Sequence, residues 1–549
     1  MKFLRVLTNS IIIGIVFSML LSILILDINI NLDFHFTVFS HLIIFNSITY
    51  GILISLICIT IFYMVQYFYG RRIKIFFVSP SFLSISTSIT IILFILISNA
   101  NYKYFHSFLS PKKLSLIRTQ ANYLIFLSIM GAVLFFTFLY YKKNIIFILI
   151  FFGLFAGCMS YIIVKRIETP ISVETEKVAN LEAKNINKKV TIIGLEGLSF
   201  DFIIPMINEG KLPNFSWLIE QGSWGKLNSF SPSEPIVLNN SFNTGKLPAN
   251  HKQISQFNYN LLNFKDRIEV TPRFILYHQM TRAGLIKISS KEAVLEQKDI
   301  WEILKDNKTE FLKKDWPYDL NVNQPDKEAE KLFDTLFQEL RYDKSRIVNP
   351  VKQAIYRDYT YEKNVRTIKN KTNPQLVYFF LNGLSTVETY FYKYNFPKLF
   401  EGLEQEEINK YSPVIENYYR YYDQIIGRYL ASLKDDELLI VFSPYGIEPL
   451  SIWRRLIQRI MGNADATASH EHAPPGVVFF YGNEVVKGKN IESINIIDMA
   501  PTILYYIGLP VGKDMDGIAQ RSILFTEEFI NENPIFLIQS YEQINIKKP

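Results

Sequence analysis

Cysteine is nearly absent from this sequence: the 549 residues contain two, Cys58 and Cys158. Both lie inside apolar runs in the first third of the chain, so no disulfide can cross-link the remainder. A disulfide framework is therefore excluded for the C-terminal part. A location outside the cytoplasm is not excluded, because a domain of about 360 residues buries enough apolar surface to fold without disulfides.

The sequence also lacks a dense basic run interleaved with aromatic residues, which is the usual signature of a nucleic-acid-binding surface. The net charge of +7 is modest for a chain of this length. Internal repeats and low-complexity tracts are absent as well. We therefore expect no nucleic-acid partner.

Apolar residues, by contrast, are abundant and are concentrated before residue 165. A helix needs about 20 apolar residues to cross a bilayer. Runs of this length predict five membrane-spanning helices, at about 6–28, 41–68, 78–99, 120–141 and 144–164. The alternative, a set of core helices in a soluble protein, is disfavoured because five such runs in succession are hard to bury in water. The first run exceeds the usual apolar region of a signal peptide, and no small-residue cleavage site follows it.

The distribution of lysine and arginine in the short loops predicts the orientation of these helices. With a cytoplasmic N-terminus, the basic residues that face the cytoplasm are Lys2, Arg5, Arg71, Arg72, Lys74, Lys142 and Lys143. The loop 29–40 has no lysine or arginine, as an external loop should, whereas the loop 100–119 and residues 165–166 carry basic side chains on the opposite side. We predict an integral protein of the inner or plasma membrane whose C-terminal domain is extracytoplasmic.

Residues 165–189 are charged and lack a strong apolar face, which predicts a linker or a short exposed helix between residues 1–164 and the rest. From residue 190 onwards, strand-like apolar runs alternate with amphipathic helical ones. The clearest strands are 190–193, 375–383 and 437–443, and the clearest helices are 299–306 and 403–434. This alternation indicates one large α/β domain over 190–549 with a mostly parallel central sheet.

The first strand of this domain leads into a turn with two glycines, Gly194 and Gly197, and an acidic residue, Glu196, between them. Ligands of α/β folds gather at the carboxyl ends of the parallel strands. Glu196 is therefore the first candidate for a functional side chain.

Several segments of the C-terminal domain resemble the alkaline phosphatase superfamily, in its type I phosphodiesterase/nucleotide pyrophosphatase branch. These segments are IIGLEG, EGKLPNFSWLIEQGSWGKL, NTGKLPANH, KDIWEILK, DWP, YDQIIGRYLASLKDDELLIVFS and NIIDMAPTILYYIGLPVGKDMDG. Together they extend over about 190–520, and the last is the most specific. The resemblance implies an alkaline-phosphatase-like fold. In active members, it implies two metal ions, usually zinc, that activate a Thr or Ser nucleophile and hold the transferring phosphoryl oxygens.

The order of the parts carries a second resemblance, at the level of architecture only. Five N-terminal spans followed by an external domain of this superfamily are similar to the layout of lipoteichoic acid synthases and phosphoethanolamine transferases. A regulatory relative in Gram-negative inner membranes, which has lost catalysis, has the same layout. Fold alone does not decide between these roles.

The resemblance assigns seven site positions in this sequence, and most of them hold residues that cannot perform the family's chemistry. Glu196 stands at the first metal ligand, an aspartate in the family, and His472 stands at the last, a retained histidine. The nucleophile position is Pro235, which has no hydroxyl, and Ser233 is a weak substitute. The other four ligand positions have lost their donors and hold Ser385, Thr389, Pro444 and Tyr445. Glu388 is next to one of these positions, and on a helix we expect it to point elsewhere.

A two-metal site of the family type cannot be assembled from the side chains that remain, so we expect no cofactor. A different metal site stays open, built from Glu196, His472 and possible help from His470, because two imidazoles two residues apart on a strand would share a face. The alternative is a histidine pair in a solvated loop. Zinc or another divalent metal is expected only if such a rebuilt site is active.

The segment SIWRRLIQRIMG (451–462) predicts an amphipathic helix with an apolar side and an arginine-bearing side. Such a helix could lie on a membrane surface or bind anionic lipid headgroups. It could equally cover the core with its apolar side and leave its arginines in solvent. The sequence leaves both interpretations open.

Three functional hypotheses follow. The preferred one is a membrane-anchored, catalytically inactive protein whose phosphatase-like pocket binds a lipid headgroup, a phosphorylated envelope precursor or another envelope protein. The second is an active phosphodiesterase or phosphotransferase with a rebuilt site, in which Glu196, His470, His472 and Ser233 would act. The third is a purely structural partner whose pocket is filled by bulky residues such as Tyr445.

Overall fold

The computed structural model describes residues 2–32, 34–69, 75–140, 145–167, 188–255, 257–262, 264, 268–272, 277–290, 297–314, 326–460 and 463–542. Contacts within the chain group these residues into two compact units. Unit 1 comprises Met1–Glu174 and Pro248–Val294, and unit 2 comprises Thr175–Leu247 and Leu295–Pro549. The predicted linker lies outside the described residues over 168–187.

The helices, in chain order, are α1 (Lys2–Ile28), α2 (Phe36–Asn46), α3 (Ile52–Tyr69), α4 (Pro80–Phe105), α5 (Pro111–Tyr140), α6 (Ile145–Ile167), α7 (Phe200–Asn208), α8 (Pro213–Gln221), α9 (Pro235–Thr244), α10 (Pro248–His251), α11 (Tyr277–Arg282), α12 (Ile300–Asp306), α13 (Lys327–Leu336), α14 (Val348–Thr372), α15 (Gly383–Asn395), α16 (Gln405–Tyr411), α17 (Pro413–Ser432), α18 (Ile452–Ile460), α19 (Met499–Tyr506), α20 (Arg521–Leu524) and α21 (Glu527–Glu532). A π-helical turn, Ser47–Gly51, joins α2 to α3.

The strands are β1 (Lys189–Leu195), β2 (Ser223–Asn228), β3 (Phe257–Leu261), β4 (Ile286–Ser290), β5 (Phe311–Lys314), β6 (Leu376–Leu381), β7 (Glu437–Tyr445), β8 (Glu448–Pro449), β9 (Ala468–Ser469), β10 (Pro475–Tyr481), β11 (Lys489–Asn495), β12 (Val511–Gly512) and β13 (Leu537–Ile538).

Within unit 1, the described residues include four helices that are long and apolar enough to cross a membrane. They are Lys2–Ile28, Phe36–Phe68, Pro80–Phe108 and Pro111–Thr137, and they correspond to the first four predicted spans. The fifth predicted span lies in α6, where the described side chains form a shorter apolar stretch, Phe152–Val164. The fifth span therefore stays a prediction.

Small residues let α1 approach the α2–α3 helix closely. A Cβ atom added to Gly14 would lie 2.4 Å from the carbonyl oxygen of Gly51, so a larger residue would push the two backbones apart. Nearby, the Ser55 hydroxyl lies 3.0 Å from the carbonyl oxygen of Ser10, which links α1 and α3 by a buried hydrogen bond.

The sequence-based boundaries placed all of 190–549 in the α/β domain, whereas the contacts of the segment Pro248–Val294 lie elsewhere. Its contacts group it with the N-terminal helices in unit 1. One reason is Asn29, just after α1, whose side-chain oxygen accepts the N–H groups of Glu269 and Val270 at 2.8 and 2.9 Å. Its side-chain amide donates to the Val270 carbonyl oxygen at 2.8 Å. No local sequence pattern predicts a contact between segments so far apart in the chain.

Unit 2 is built on a seven-stranded sheet with the strand order β11-β2-β10-β7-β1-β6-β5. Neighbouring strands from β7 to β5 are parallel, whereas β10 runs antiparallel to both β7 and β2. The predicted mostly parallel α/β sheet is confirmed. The strands predicted at 190–193, 375–383 and 437–443 are β1, β6 and β7.

Helices cover both faces of this sheet, which is why its central strands are continuous apolar runs. On one face, Ile193 of β1 and Phe379 of β6 join a buried cluster with α8, α14 and α17. On the other face, Ile192 and Tyr378 join a second cluster with α9, α12 and α19. Alternation along each strand therefore places the core on both sides of the sheet.

Candidate functional site

The candidate site lies where three parallel strands end together. In the sheet, Leu195 of β1 aligns with Leu381 of β6, and the N–H of Glu196 continues the ladder by donating to the Leu381 carbonyl oxygen at 2.9 Å. The neighbouring strand β7 ends at Tyr445. The carboxyl ends of parallel strands are the usual ligand-binding edge of such sheets, so the sequence-predicted positions converge on the expected place.

Glu196 and Tyr445 lie in direct contact at this edge. The Tyr445 hydroxyl donates a hydrogen bond to Oε1 of Glu196, and Tyr445 and Glu196 are 1% and 7% exposed respectively. Burial raises the pKa of Glu196 to about 7, although donors on Tyr445 and Ser385 oppose the shift. The Glu196 carboxyl group, at the position that the resemblance assigns to a metal ligand, is therefore held by side chains of the protein itself.

Ser385 and His470 form a second contact beside the first. The Ser385 hydroxyl lies 2.6 Å from Nε2 of His470, and Nδ1 of the same ring lies 2.7 Å from the carbonyl oxygen of Gly446. A carbonyl oxygen only accepts, which assigns the proton to Nδ1 and leaves Nε2 as the acceptor from Ser385. Burial lowers the pKa of His470 to about 4, so the ring is neutral at physiological pH.

These four residues, Glu196, Ser385, Tyr445 and His470, are called the buried polar cluster below. Ser385 lies between the two pairs, because it also interacts with Glu196 and lowers the pKa of that carboxyl. Its single hydroxyl proton can be donated to only one of the two partners at a time. The rings of Tyr445 and His470 lie 4.9 Å apart between centroids. The cluster therefore satisfies its polar groups largely by itself.

Glu388 lies at the same site, contrary to the expectation that it would point elsewhere. Ser385 and Glu388 are three residues apart on α15, and residues at that spacing share a helix face. Glu388 is fully buried, and its Oε1 accepts the Tyr419 hydroxyl at 3.3 Å. Burial, together with the negative charge of Glu196, raises the pKa of Glu388 well above its usual range. Two neighbouring buried carboxyl groups cannot both ionise at low cost, which favours the protonated form of Glu388.

Gly197 is the residue that makes room for Glu388. Its φ angle of +97° lies in the left-handed region that favours glycine, and a Cβ atom there would lie 2.4 Å from Oε2 of Glu388. Glycine is thus required after the first strand both by the positive φ angle and by the close approach of the Glu388 side chain.

The other two positions that the resemblance assigns to ligands, Thr389 and Pro444, make contacts within the fold. Thr389 donates its hydroxyl to the Ser385 carbonyl oxygen at 2.9 Å, and its own carbonyl oxygen accepts the N–H of Thr467 at 2.7 Å. Pro444 continues β7 next to Ser443, whose hydroxyl donates to the Tyr445 carbonyl oxygen at 2.7 Å. Neither position directs a metal-binding atom into the site.

The position assigned to the nucleophile begins α9. Pro235 occupies the first turn of this helix, where the fixed φ of proline suits the helix and no N–H is needed. The backbone N–H of Ser233 donates to the Glu471 carbonyl oxygen at 3.2 Å, and its hydroxyl lies 3.5 Å from the carbonyl oxygen of Phe230. Ser233 therefore faces backbone oxygen rather than an imidazole that could remove its proton.

His470 and His472 do not share a face, as a strand would have required. Residues 470–472 form a bend and a turn after β9, so the two rings diverge. His470 faces Ser385, whereas His472 is exposed and its Nδ1 lies 3.0 Å from the Ser231 hydroxyl. Of the two alternatives that the sequence left open, the arrangement is therefore that of a histidine pair in a loop rather than two imidazoles on one strand face.

The donors at the site do not fit a pair of metal ions. Oε1 of Glu196 is occupied by Tyr445, and both ring nitrogens of His470 are engaged in hydrogen bonds. Within the described part of the chain, no group of three or more His, Cys, Asp or Glu side chains is arranged to hold a metal ion. No reaction step through a metal is therefore derived for this chain.

The mostly parallel sheet covered by helices on both faces defines the class of the domain as α/β. A family model described as type I phosphodiesterase / nucleotide pyrophosphatase matches residues 190–495. The chain belongs to this family.

Solved structures of this superfamily are similar to the chain. One is a phosphonate monoester hydrolase from Silicibacter pomeroyi, with 13% identity, a TM-score of 0.36, and coverage of 61% of this chain and 76% of that chain. Another is human ectonucleotide pyrophosphatase / phosphodiesterase 5, with 10% identity, a TM-score of 0.37, and coverage of 62% and 100% respectively. The search of curated proteins found no match to this sequence.

Proposed function

We propose that this chain is a membrane-anchored member of its family that has exchanged two-metal catalysis for a binding or regulatory role in the cell envelope. The observation that carries the proposal is the contact between Tyr445 and Glu196, where a hydroxyl donor occupies the carboxylate that a metal would need. The four apolar helices of unit 1 support the membrane anchor.

The energetics of the buried polar cluster support the loss of metal binding. A metal ion at Oε1 of Glu196 would compete with the Tyr445 hydroxyl for the same oxygen, and displacing that hydroxyl would break a buried hydrogen bond. An unsatisfied buried polar group costs about 1–3 kcal/mol. A metal bound at His470 would have to break the contact of Nε2 with Ser385. Proline at the nucleophile position removes the attacking hydroxyl as well.

The ligand classes that we propose are a lipid headgroup, a phosphorylated envelope precursor or another envelope protein. These are the compounds that an extracytoplasmic domain beside a membrane meets. The proposed location is the inner or plasma membrane, with the α/β domain outside the cytoplasm.

A phosphodiesterase assay on the full-length protein in detergent tests this proposal. We expect the protein with zinc or manganese to release nitrophenol from bis(p-nitrophenyl) phosphate no faster than the same metal does in buffer without protein. An active member of the family, assayed in parallel, should hydrolyse the substrate. The Glu196→Ala variant should behave like the wild type. Turnover that stops on chelation and is lost in Glu196→Ala would overturn the proposal.

A second candidate function is a metal-independent hydrolase, and the 2.6 Å contact between Ser385 and His470 favours it. In this arrangement Nε2 of His470 would take the proton of the Ser385 hydroxyl as that oxygen attacks. Two observations weigh against it. A pKa of about 4 makes His470 a weak base, and Ser385 is only 8% exposed. Turnover that persists with chelator and disappears in Ser385→Ala would establish this second function in place of the first.

A further inference from the structure

The helix α18 presents its apolar side to solvent. Ile452, Trp453, Leu456 and Ile457 are 74%, 76%, 46% and 53% exposed. They recur at the spacing of one helix face, so they form a continuous stripe. The alternative in which this side of the helix covers the core is thereby excluded.

Arginines attach α18 to unit 2 from the other side. Arg454 donates to Oε1 of Glu448 at 2.6 Å, and the guanidinium of Arg455 lies 4.9 Å from the centroid of the Phe400 ring. Both arginines are partly buried, and Phe400 belongs to a buried cluster. The helix is therefore held on the domain by its basic side, which keeps the apolar stripe facing outward.

The residues around the stripe are of the kinds that bind a lipid surface. Arg459 is exposed on the same helix, and residues 451–460 contain no aspartate or glutamate. Leu399, next to Phe400, is a further large apolar residue and is 55% exposed. Tryptophan and aliphatic residues beside cationic side chains are typical of helices in the membrane interface, where the cations meet anionic headgroups.

We propose that α18 is an interfacial helix that inserts its apolar stripe into the surface of a bilayer containing anionic phospholipid. The apolar helices of unit 1 would keep such a surface at a high effective concentration, so even weak insertion of a short helix would be populated. Positive charge with no acidic residue on the helix favours this occupant over an apolar protein groove. The inference does not depend on whether the α/β domain is catalytic.

A fluorescent label on the stripe tests this directly in the full-length protein. In a Cys58→Ser, Cys158→Ser background, Ile457→Cys is labelled with the environment-sensitive dye NBD. The protein is then reconstituted as one copy per nanodisc of phosphatidylcholine, with or without phosphatidylglycerol. We expect a blue-shifted emission that nitroxide-labelled lipids quench, and more strongly in discs with phosphatidylglycerol. The matched control is Tyr342→Cys on an 82% exposed side chain, which should show neither effect.

Two further variants separate the contributions to insertion. Arg459→Gln should lower the inserted population in anionic discs on the order of fivefold, because a basic residue near an anionic surface contributes about that factor. Trp453→Glu should abolish the quenching, and since Trp453 is exposed, the melting temperature should stay unchanged. The proposal would be overturned if the labels at positions 457 and 342 gave equal emission and equal quenching. It would also be overturned if the label at 457 were blue-shifted in detergent and were not quenched by nitroxide-labelled lipids in discs.

Discussion

Tyr445 determines how Glu196 behaves. Burial alone would disfavour the Glu196 carboxylate strongly, and the Tyr445 hydroxyl opposes that effect by donating to it. The result is a pKa of about 7, so the ionisation of Glu196 falls in the physiological range. The edge at which the resemblance would place a metal ligand is thus held by a hydrogen bond between two side chains of the protein.

Replacing Tyr445 by Phe should destabilise the protein in a pH-dependent way. The folded pKa of Glu196, about 7, lies above its unfolded value. The contribution of this group to stability is therefore complete below the unfolded pKa and is lost as the pH rises through 7. The donor from Tyr445 matters most to the ionised form, so Tyr445→Phe should cost about 2 kcal/mol at pH 8 and about 1 kcal/mol at pH 5.5.

Urea unfolding at the two pH values measures this difference. The matched control is Tyr505→Phe, because the Tyr505 hydroxyl donates to the carbonyl oxygen of Asn533 at 2.9 Å, an acceptor that does not titrate. The free energy of unfolding lost in Tyr505→Phe should be the same at both pH values. An equal loss at pH 5.5 and 8 for Tyr445→Phe would contradict the proposed interaction with an ionising carboxyl group.

Gly197 offers a second test at this scale. Alanine at this position would be strained by a φ of +97° and would also collide with Oε2 of Glu388, so Gly197→Ala should cost about 3 kcal/mol. Gly210 has a similar φ of +71° but nothing within 4 Å of an added Cβ atom. Gly210→Ala should therefore cost about 1 kcal/mol. Thermal unfolding of both variants separates backbone strain from the contact with Glu388, and equal losses would refute that contact.

Among the elements of unit 2, α17 stabilises the start of α8. Leu212 precedes α8 and supplies no side-chain cap. Asp423 of α17 supplies it instead, because its Oδ1 accepts the N–H groups of Asn214 and Phe215 at 3.0 and 2.9 Å. Free N–H groups at the beginning of a helix need such acceptors.

Asp423→Ala should lower the free energy of unfolding by about 2–3 kcal/mol, because it removes a cap and leaves buried N–H groups without acceptors. The neighbouring Gln424 is exposed, and Gln424→Ala should change stability by less than about 0.5 kcal/mol. Chemical denaturation of both variants provides the comparison. A loss below about 1 kcal/mol for Asp423→Ala would mean that water replaces the cap.

Element positions in unit 2 were largely predictable from the sequence, and contacts between distant segments were not. The apolar runs that predicted β6 and β7 are buried on both sides, which leaves a clear pattern. The predicted helix 403–434 is divided into α16 and α17 because Pro413 begins a new helix. The grouping of Pro248–Val294 with the N-terminal helices includes hydrogen bonds of Asn29 to residues about 240 positions away, and such contacts have no local sequence pattern.

Within the candidate site, the same distinction holds. The resemblance placed Glu196 and Tyr445 at neighbouring positions, and the structure brings them into contact. The i, i+3 spacing of Ser385 and Glu388 was visible in the sequence and is that of a shared helix face, but Glu388 was expected to point elsewhere because only its spacing from Thr389 was considered. The turn that separates His470 from His472 was not visible in the sequence. The two histidines would share a face only on a continued strand, and β9 ends at Ser469, just before His470.

For the molecule as a whole, the number of spans decides the side on which the α/β domain lies. Starting from a cytoplasmic N-terminus, four spans return the chain to the cytoplasm and five place unit 2 outside. The helix α6 has 23 residues, which is long enough to cross a bilayer. We therefore predict the external location.

Labelling of a single cysteine in intact cells tests this topology. In the background without Cys58 and Cys158, Tyr342→Cys places a thiol on an 82% exposed side chain of unit 2. A membrane-impermeant maleimide should label it before the cells are permeabilised. A cysteine introduced next to the N-terminus, at Lys2, should react only afterwards. The reverse pattern would mean that the predicted orientation is wrong.

The central claim is that side chains of the protein fill the place where the resemblance would put a metal, and anomalous diffraction tests it most directly. Crystals of the full-length protein grown with zinc would be measured above and below the zinc absorption edge. We predict no anomalous peak at the buried polar cluster, with the Tyr445 hydroxyl still in contact with Glu196. A peak bound by Glu196 and His470, with Tyr445 displaced, would contradict the account.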